Sequence, residues 1–219
     1  MSINLLSDKF AHIPILNPNY TTPESKAKTV TILGSSKTSD ALSEYMDLCS
    51  KVTKSLMENG YNIVSGCGAN GIMGATYKAA KDNSLKDSFG KPLQNLAIVV
   101  EPAWGDEDIE NCIPVGKATS ESDRISKFCK VSDHFIVFPG GESTLLETTS
   151  LIQKNKYPEK GEPFKRIILV GQQIFSGLVN QYQSFFELGT VSKPPEQLFK
   201  VLNSEKEILK EFPKLNKLV

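Results

Sequence analysis

The sequence lacks the features that mark three classes of protein. Its 25 Lys and Arg residues are balanced by 25 Asp and Glu residues, so it has no basic excess of the kind that nucleic-acid-binding proteins carry. No apolar run approaches the roughly 20 residues that span a bilayer, and no apolar stretch of signal-peptide length follows the charged N-terminus. We therefore expect a cytoplasmic protein that binds neither nucleic acid nor a membrane.

Candidate metal ligands are few and scattered. The chain has two histidines, His12 and His134, and four cysteines, Cys49, Cys67, Cys112 and Cys129. None of the cysteines forms a C-x-x-C pair. This spacing does not match a structural zinc site, so we expect no metal. In a reducing compartment the cysteines are expected to be free thiols.

Short apolar runs alternate with segments of helical periodicity along most of the 219 residues. Strands are predicted at 29–33, 61–64, 96–100, 135–138 and 166–170. Helices are predicted at 40–59, from the second glycine loop to about 81, and at 121–131, 144–155, 175–188 and 205–212. Residues 1–27 and 102–120 are predicted to be irregular. This length favours a single domain.

The alternation of strands and helices predicts a Rossmann-like α/β fold, a doubly wound parallel sheet with helices on both faces. The predicted strands are continuously apolar, as in strands buried on both faces. We therefore divide the chain into an irregular N-terminal arm, 1–27, and a nucleotide-binding domain, 28–219.

Three predicted strands end in turns of small residues, each followed by a helix. The turns are Gly34-Ser35-Ser36, residues 66–74 and residues 139–144. In open parallel sheets, ligands bind outside the carboxyl ends of the strands. A helix N-terminus offers free N–H donors and a partial positive charge, both of which suit phosphate. The sequence therefore predicts a phosphate-bearing ligand at this edge.

The second turn fits the dinucleotide pattern G-x-G-x-x-G through Gly66, Gly68 and Gly71. Alone the pattern is weakly specific, and the acidic residue expected about 20 positions later is not clearly present, because Glu101 lies too far on. A nicotinamide-dependent oxidoreductase is one interpretation of this turn. Close packing of a helix on a strand is another.

Three spaced motifs together resemble the "Lonely guy" family, the cytokinin riboside 5'-monophosphate phosphoribohydrolases and related nucleotide nucleosidases often labelled lysine decarboxylases. The family's P-G-G-x-G-T-x-x-E pattern falls on Pro139, Gly140, Gly141, Thr144 and Glu147. Its G-G-G-x-x-G-L-M-G pattern falls on Gly66, Gly68, Gly71, Met73 and Gly74, and its arginine falls on Arg124, fifteen residues before the proline. The resemblance covers roughly residues 29–202.

The resemblance implies an enzyme that hydrolyses the N-glycosidic bond of a nucleoside 5'-monophosphate without a cofactor, as a homodimer or higher homo-oligomer. Glu147 and Arg124 would be catalytic. The expected substrate and phosphate ligands are Gly34, Ser35, Ser36, Gly66, Gly68, Gly71, Met73, Gly140, Gly141, Ser143 and Thr144. The same fold is used by molybdenum cofactor carriers, so a non-catalytic carrier is the alternative. A lysine decarboxylase would need a pyridoxal phosphate lysine, for which no context is seen.

The chain departs from the family pattern at three positions. Ser143 replaces the third glycine of the third loop, Ile125 replaces the lysine after the arginine, and Cys67 replaces the middle glycine of the second loop. The first two departures favour the carrier alternative.

A carboxylate suits this hydrolysis because it can stabilise an oxocarbenium-like sugar and deprotonate or orient the attacking water. Each key residue also has a structural interpretation. Thr144 to Glu147 fits a capping box, and Arg124 could pair with its neighbours Glu121 and Asp123 at the surface. His134 is interpreted as a packed residue, and Trp104 either stacks on a base or closes the core or an interface.

Overall fold

The computed structural model describes residues 10–81, 93–101, 107, 112–158 and 161–215. Within these residues, seven strands form one fully parallel sheet in the order β4-β3-β2-β1-β5-β6-β7. The strands are β1 (Thr29–Leu33), β2 (Asn62–Ser65), β3 (Asn95–Val100), β4 (Ile113–Ala118), β5 (His134–Val137), β6 (Arg166–Val170) and β7 (Lys200–Leu202).

Helices cover both faces of the sheet. The α-helices in the described residues are α1 (Pro23–Ala27), α2 (Ser43–Glu58), α3 (Gly71–Lys81), α4 (Glu121–Val131), α5 (Glu142–Lys156), α6 (Gln172–Glu187) and α7 (Glu205–Lys210). One apolar cluster joins the sheet to α2, α3 and α7. A second joins it to α4, α5 and α6. The expected doubly wound α/β fold is confirmed.

Strand β1 shows why the sequence folds this way. Its β-branched and apolar residues are buried along their whole length, as expected for a central strand covered on both faces. Ile32 belongs to the cluster with α2, whereas the next residue, Leu33, belongs to the cluster with α4. This alternation is the two-residue period of a strand.

The strand order creates a cleft beside β1. From β1 the chain runs outward through β2, β3 and β4, then returns to β5 on the other side of β1 and continues through β6 and β7. The connections that follow β1 and β5 therefore diverge. Such a switch point is where open α/β sheets bind ligands.

The prediction that residues 102–120 are irregular is wrong at its end, where β4 forms. Strand β4 contains Pro114 and Gly116, both unfavourable within a strand, and its pairing with β3 shifts register between Ala97 and Ile98. An edge strand tolerates proline because one side needs no ladder donor. The short strand β7 at the opposite edge was not predicted either.

The outer edge of β4 is covered by the N-terminal segment. The amide of Asn17 donates to the carbonyl of Val115 at 2.7 Å, and the amide of Lys117 donates to the carbonyl of Pro14 at 3.1 Å. This segment is not wholly irregular, because it includes α1. Thr22 caps α1 by accepting from the amide of Ser25, and Pro23 occupies its first turn.

Candidate active site

A cavity of about 220 Å³ opens at the carboxyl end of β1. It is bounded by the loops after β1 and β2, by α4 and by the N-terminus of α5. The residues that line it are Leu33, Gly34, Ser35, Ser36, Lys37, Gly66, Met73, Arg124, Gly141, Glu142, Ser143, Thr144 and Glu147. The three turns singled out in the sequence thus meet at one place.

Three of the predicted ligand residues do not line this cavity. Gly68 lines a smaller adjoining cavity of about 20 Å³, together with Arg124 and Met73. Gly140 lies behind Thr144, because a Cβ on Gly140 would be 2.1 Å from the Thr144 hydroxyl. Gly71 packs against the backbone of the first loop. These glycines shape the walls of the site.

The centre of the site is an ion pair between two buried side chains. Nη2 of Arg124 donates to Oε1 of Glu147 at 3.3 Å and to Oε2 of Glu121 at 2.9 Å. Arg124 is 4% exposed and Glu147 is 5% exposed. Arg124 is therefore not a surface residue, although its pairing with Glu121 is confirmed. Asp123 pairs with Lys127 instead.

The capping-box interpretation of Thr144 and Glu147 is wrong. Helix α5 begins at Glu142, two residues earlier than predicted, with Gly141 at the N-cap and no side-chain cap hydrogen bond. Because Glu147 lies in the second turn, its carboxylate reaches Arg124 instead of the helix end. Thr144 is buried in the first turn.

The environment of Glu147 raises its pKa from 4.5 to about 7. Burial is the largest cause, since it penalises the charged carboxylate. Arg124 opposes the rise in pKa by its charge and its hydrogen bond, and the nearby carboxylate of Glu121 adds to it. Near neutral pH, Glu147 therefore exchanges a proton easily, which is the property of a general acid or base.

The N-terminus of α5 presents unused hydrogen-bond donors to the cavity. The first amide that bonds back is that of Leu145, which donates to the carbonyl of Gly141 at 3.0 Å. In the described part of the chain, the amides of Glu142, Ser143 and Thr144 have no acceptor. Free amides at a helix N-terminus form an anion-binding site.

The N-terminus of α3 differs, because its amides are already bonded within the protein. The amides of Ile72 and Met73 donate to the carbonyl of Ser35, at 2.8 and 3.4 Å. The G-x-G-x-x-G loop therefore has fewer free donors for a pyrophosphate than the oxidoreductase interpretation requires. It serves to bring α3 against the loop after β1.

Two glycines of this loop allow close contacts, one with the loop after β1 and one with Arg124. Gly71 has a φ of +58°, and a Cβ there would lie 2.4 Å from the carbonyl oxygen of Ser35 and 2.5 Å from that of Lys37. A Cβ on Gly66 would lie 3.1 Å from Nη1 of Arg124. Gly66 thus leaves the space that the guanidinium occupies.

Ser35 joins the three loops. Its amide donates to the carbonyl of Pro139 at 3.1 Å, its carbonyl accepts from α3, and its hydroxyl bonds to the backbone of Lys37. Its side chain is therefore engaged in the loop, whereas in the described residues the hydroxyl of Ser36 has no hydrogen-bond partner. Ser36 is the better hydroxyl ligand.

Sequence reasoning missed two charged residues of the cavity, Lys37 and Glu142. Lys37 directly follows the Gly34-Ser35-Ser36 turn, and Glu142 occupies the variable position of the third loop. Their positions next to the motif residues in the sequence could have indicated that they line the same cavity. The two opposite charges leave the rim of the cavity without a strong net charge.

The remaining candidates lie outside the cavity. His134 begins β5 at the amino end of the sheet and packs edge-on against Tyr61 and Phe212, as its interpretation as a packed residue predicted. Asp133 pairs with the buried Lys165 at 2.7 Å. Trp104 lies outside the described residues.

Neither a metal centre nor a membrane-spanning helix occurs in the part of the chain that the structure describes. No three or more His, Cys, Asp or Glu side chains there are grouped as metal ligands require. None of the helices there is long and apolar enough to cross a bilayer.

Solved structures of low sequence identity share the fold. The molybdenum cofactor binding protein of the phototrophic bacterium Rippkaea orientalis aligns with a TM-score of 0.58 and 14% identity, over 84% of this chain and 94% of that one. The molybdenum cofactor carrier protein of Chlamydomonas reinhardtii aligns with a TM-score of 0.59 and 15% identity, over 84% and 95%. At this identity the likeness shows the fold alone.

Two sequence comparisons gave different results. No curated protein matches the chain by sequence, whereas a family model does. The model of a family described as "possible lysine decarboxylase" matches residues 71–212, which include α3, α4 and the whole of α5. The resemblance drawn from the three motifs is confirmed, and the chain belongs to the possible lysine decarboxylase family, the group that includes the "Lonely guy" proteins.

Proposed function

We propose that this protein is a nucleoside 5'-monophosphate phosphoribohydrolase, which releases a free base and ribose 5-phosphate. The observation that carries the proposal is the buried Glu147, whose pKa is raised to about 7, beside Arg124 in a cavity that the open N-terminus of α5 borders. A proton-exchanging carboxylate and an anion site in one cavity are what this hydrolysis needs.

The N-terminus of α5 is the proposed site of the 5'-phosphate. The amides of Glu142, Ser143 and Thr144 would donate to the phosphate oxygens, since they have no acceptor among the described residues. Lys37, which also lines the cavity, would add a positive charge. Replacement of the family's glycine by Ser143 leaves the backbone donor in place.

Glu147 is the proposed general base. Its ionised carboxylate would take a proton from a water molecule as that water attacks C1' of the ribose, while the bond from C1' to the base breaks. The same negative charge would stabilise the oxocarbenium-like sugar. Arg124 orients the carboxylate through the 3.3 Å hydrogen bond and can bind ribose or phosphate oxygens.

A carrier that binds a nucleotide or a molybdenum cofactor without hydrolysis is the second candidate. The feature of this chain that favours it is Ile125, which is buried next to Arg124 where the family has a lysine. Two proteins of like fold are described as binding or carrying the molybdenum cofactor. A carrier has no need of a carboxylate with a pKa near neutrality, so we prefer the hydrolase.

The decisive experiment is incubation of the purified protein with a panel of nucleoside 5'-monophosphates, with free base measured by chromatography. We expect base release from at least one purine monophosphate and a loss of about 10²- to 10⁴-fold in Glu147→Gln. Glu142→Gln is the matched control, because Glu142 lines the same cavity but is exposed. Tight retention of an intact ligand without base release would favour the carrier.

We also propose that the protein is a homo-oligomer that associates through α5 and α6. Large apolar side chains on and just after these helices are exposed: Leu145, Leu146, Ile174, Phe185, Phe186 and Leu188. Only Phe175 of α6 is buried in the monomer. Exposed apolar surface of this kind is typical of an interface. Nucleotide binding is assigned to residues 28–219, and the arm 1–27 is proposed as an accessory segment.

A further inference from the structure

Two thiols that are distant in sequence lie in contact beneath the glycine loop of the site. The Sγ atoms of Cys67 and Cys112 are 3.3 Å apart. Cys67 belongs to the loop after β2, and Cys112 directly precedes β4, 45 residues later. Cys67 is 0% exposed and Cys112 is 9% exposed. The proposed hydrolysis uses neither of them.

Cys67 is held in an unusual conformation. Its φ is +68°, the one positive φ among the non-glycine residues that the structure describes. Left-handed backbone at such a residue persists where the surroundings fix it. Here the amide of Cys67 donates to the hydroxyl of Tyr77 at 2.7 Å, which holds the backbone of the residue whose thiol contacts Cys112.

We propose that Cys67 and Cys112 form an oxidation site, at which a hydroperoxide converts the two thiols into a disulfide. Cys112 is the more exposed of the two residues, so it reacts first. Its sulfur displaces water from hydrogen peroxide and becomes a sulfenic acid. The sulfur of Cys67 then attacks that sulfur, and a second water leaves. In sum, two thiols and one hydrogen peroxide give one disulfide and two waters.

The disulfide would act on the candidate active site through the loop. A disulfide holds its sulfurs about 2.05 Å apart, so the two sulfurs, now 3.3 Å apart, must approach each other, and we expect the loop carrying Cys67 to adjust toward β4. The neighbouring residues Gly66 and Gly68 leave little free space: a Cβ on Gly66 would be 3.1 Å from Arg124, and one on Gly68 would be 2.8 Å from Met73. A shift of the loop therefore changes the wall against which Arg124 packs.

The other two cysteines provide an internal control. Cys49 and Cys129 are buried, and burial raises the pKa of each thiol to about 11. Cys49 contacts the hydroxyls of Thr53 and Thr76 and not a second sulfur. Both should remain reduced, because the contact between two sulfurs in the described residues is that of Cys67 with Cys112.

The test is treatment of the full-length protein with hydrogen peroxide, followed by denaturation, alkylation and peptide mass mapping. We expect a cross-linked peptide joining Cys67 to Cys112, reversed by dithiothreitol, with Cys49 and Cys129 alkylated. Cys112→Ser should abolish it, while Cys129→Ser leaves it unchanged. Alkylation of all four cysteines after treatment, or cross-linking of other pairs, would overturn the proposal.

The effect on the site is measured by hydrogen–deuterium exchange over residues 66–74, which does not depend on the proposed function. We expect oxidation to change the exchange rate of this loop several-fold in the wild type and not in Cys112→Ser. If base release is found, it should fall at least tenfold on oxidation and recover with dithiothreitol. A cross-linked protein with an unchanged loop and unchanged activity would contradict the link to the site.

Discussion

Replacing Glu147 by Gln should make the protein more stable at alkaline pH and should strongly reduce the proposed hydrolysis. Burial makes the ionised carboxylate unfavourable in the folded state, as its pKa of about 7 records. Because the folded pKa is raised above 4.5, the stability that the group contributes is fully present below pH 4.5 and is lost as the pH rises through 7. Gln resembles the protonated form and escapes this loss.

The magnitude follows from the difference in pKa. Between 4.5 and about 7, at about 1.4 kcal/mol for each pH unit, the ionised carboxylate costs about 3 kcal/mol of unfolding free energy. This net value already includes the attraction of Arg124 and the repulsion of Glu121. For a chain of this length, 3 kcal/mol corresponds to a rise in Tm of roughly 6–12 °C.

Urea unfolding at pH 4.5 and pH 8 measures the effect. We expect Glu147→Gln to match the wild type at pH 4.5 and to exceed it by about 2–3 kcal/mol at pH 8. Glu142→Gln, an exposed change on the same helix, should match the wild type at both values. A Glu147→Gln variant that is equally or less stable at pH 8 would mean that the pair with Arg124 outweighs burial, and would refute the argument.

Four further outcomes are expected. The wild-type kcat/KM should rise about tenfold per pH unit below pH 7 and level off above it, because the general base must be ionised; a flat profile from pH 5.5 to 8 would exclude Glu147 from this role. Arg124→Gln should move that rise to higher pH by roughly one unit or more, since Arg124 lowers the pKa of Glu147; an unmoved midpoint would contradict the coupling. Gly71→Ala should lower the free energy of unfolding by more than about 2 kcal/mol, because a Cβ there would clash with the backbone of the first loop. Gly177→Ala, at a position in α6 with open space around it, should raise the free energy of unfolding by up to about 1 kcal/mol. Denaturant titration of both variants measures the difference. Leu188→Glu should shift the sedimentation coefficient toward that of a monomer, and an unchanged value would place the interface elsewhere.

The parallel core was predictable from sequence because its strands carry a strong local signal. Strand β6 carries four consecutive buried apolar residues after Arg166, and its predicted bounds of 166–170 match the structure. Strand β4 was missed because Pro114 and Gly116 weaken its strand pattern, and its place is set by pairing with β3 and by the N-terminal segment. Those are contacts between residues far apart in the chain.

In the candidate site, too, the features with a local sequence pattern were predictable and those that depend on long-range contacts were not. Motif spacing brought Arg124 and Glu147 together correctly, since each follows a turn at the same edge of the sheet. It did not reveal that the amides of α3 are bonded to Ser35, because hydrogen bonds between loops leave no periodicity in the sequence. Burial of the pair, which raises the pKa of Glu147, likewise depends on the packing of α4 against α5.

The three departures from the family pattern differ in their structural consequences for the site. Ser143 lies within the first turn of α5, where helical backbone needs no glycine and the free amide is retained. Ile125 is buried and lies outside the lining of the cavity, whereas Lys37 is part of that lining. Cys67 is different, because it places a strained residue and a second sulfur behind the loop that supports Arg124.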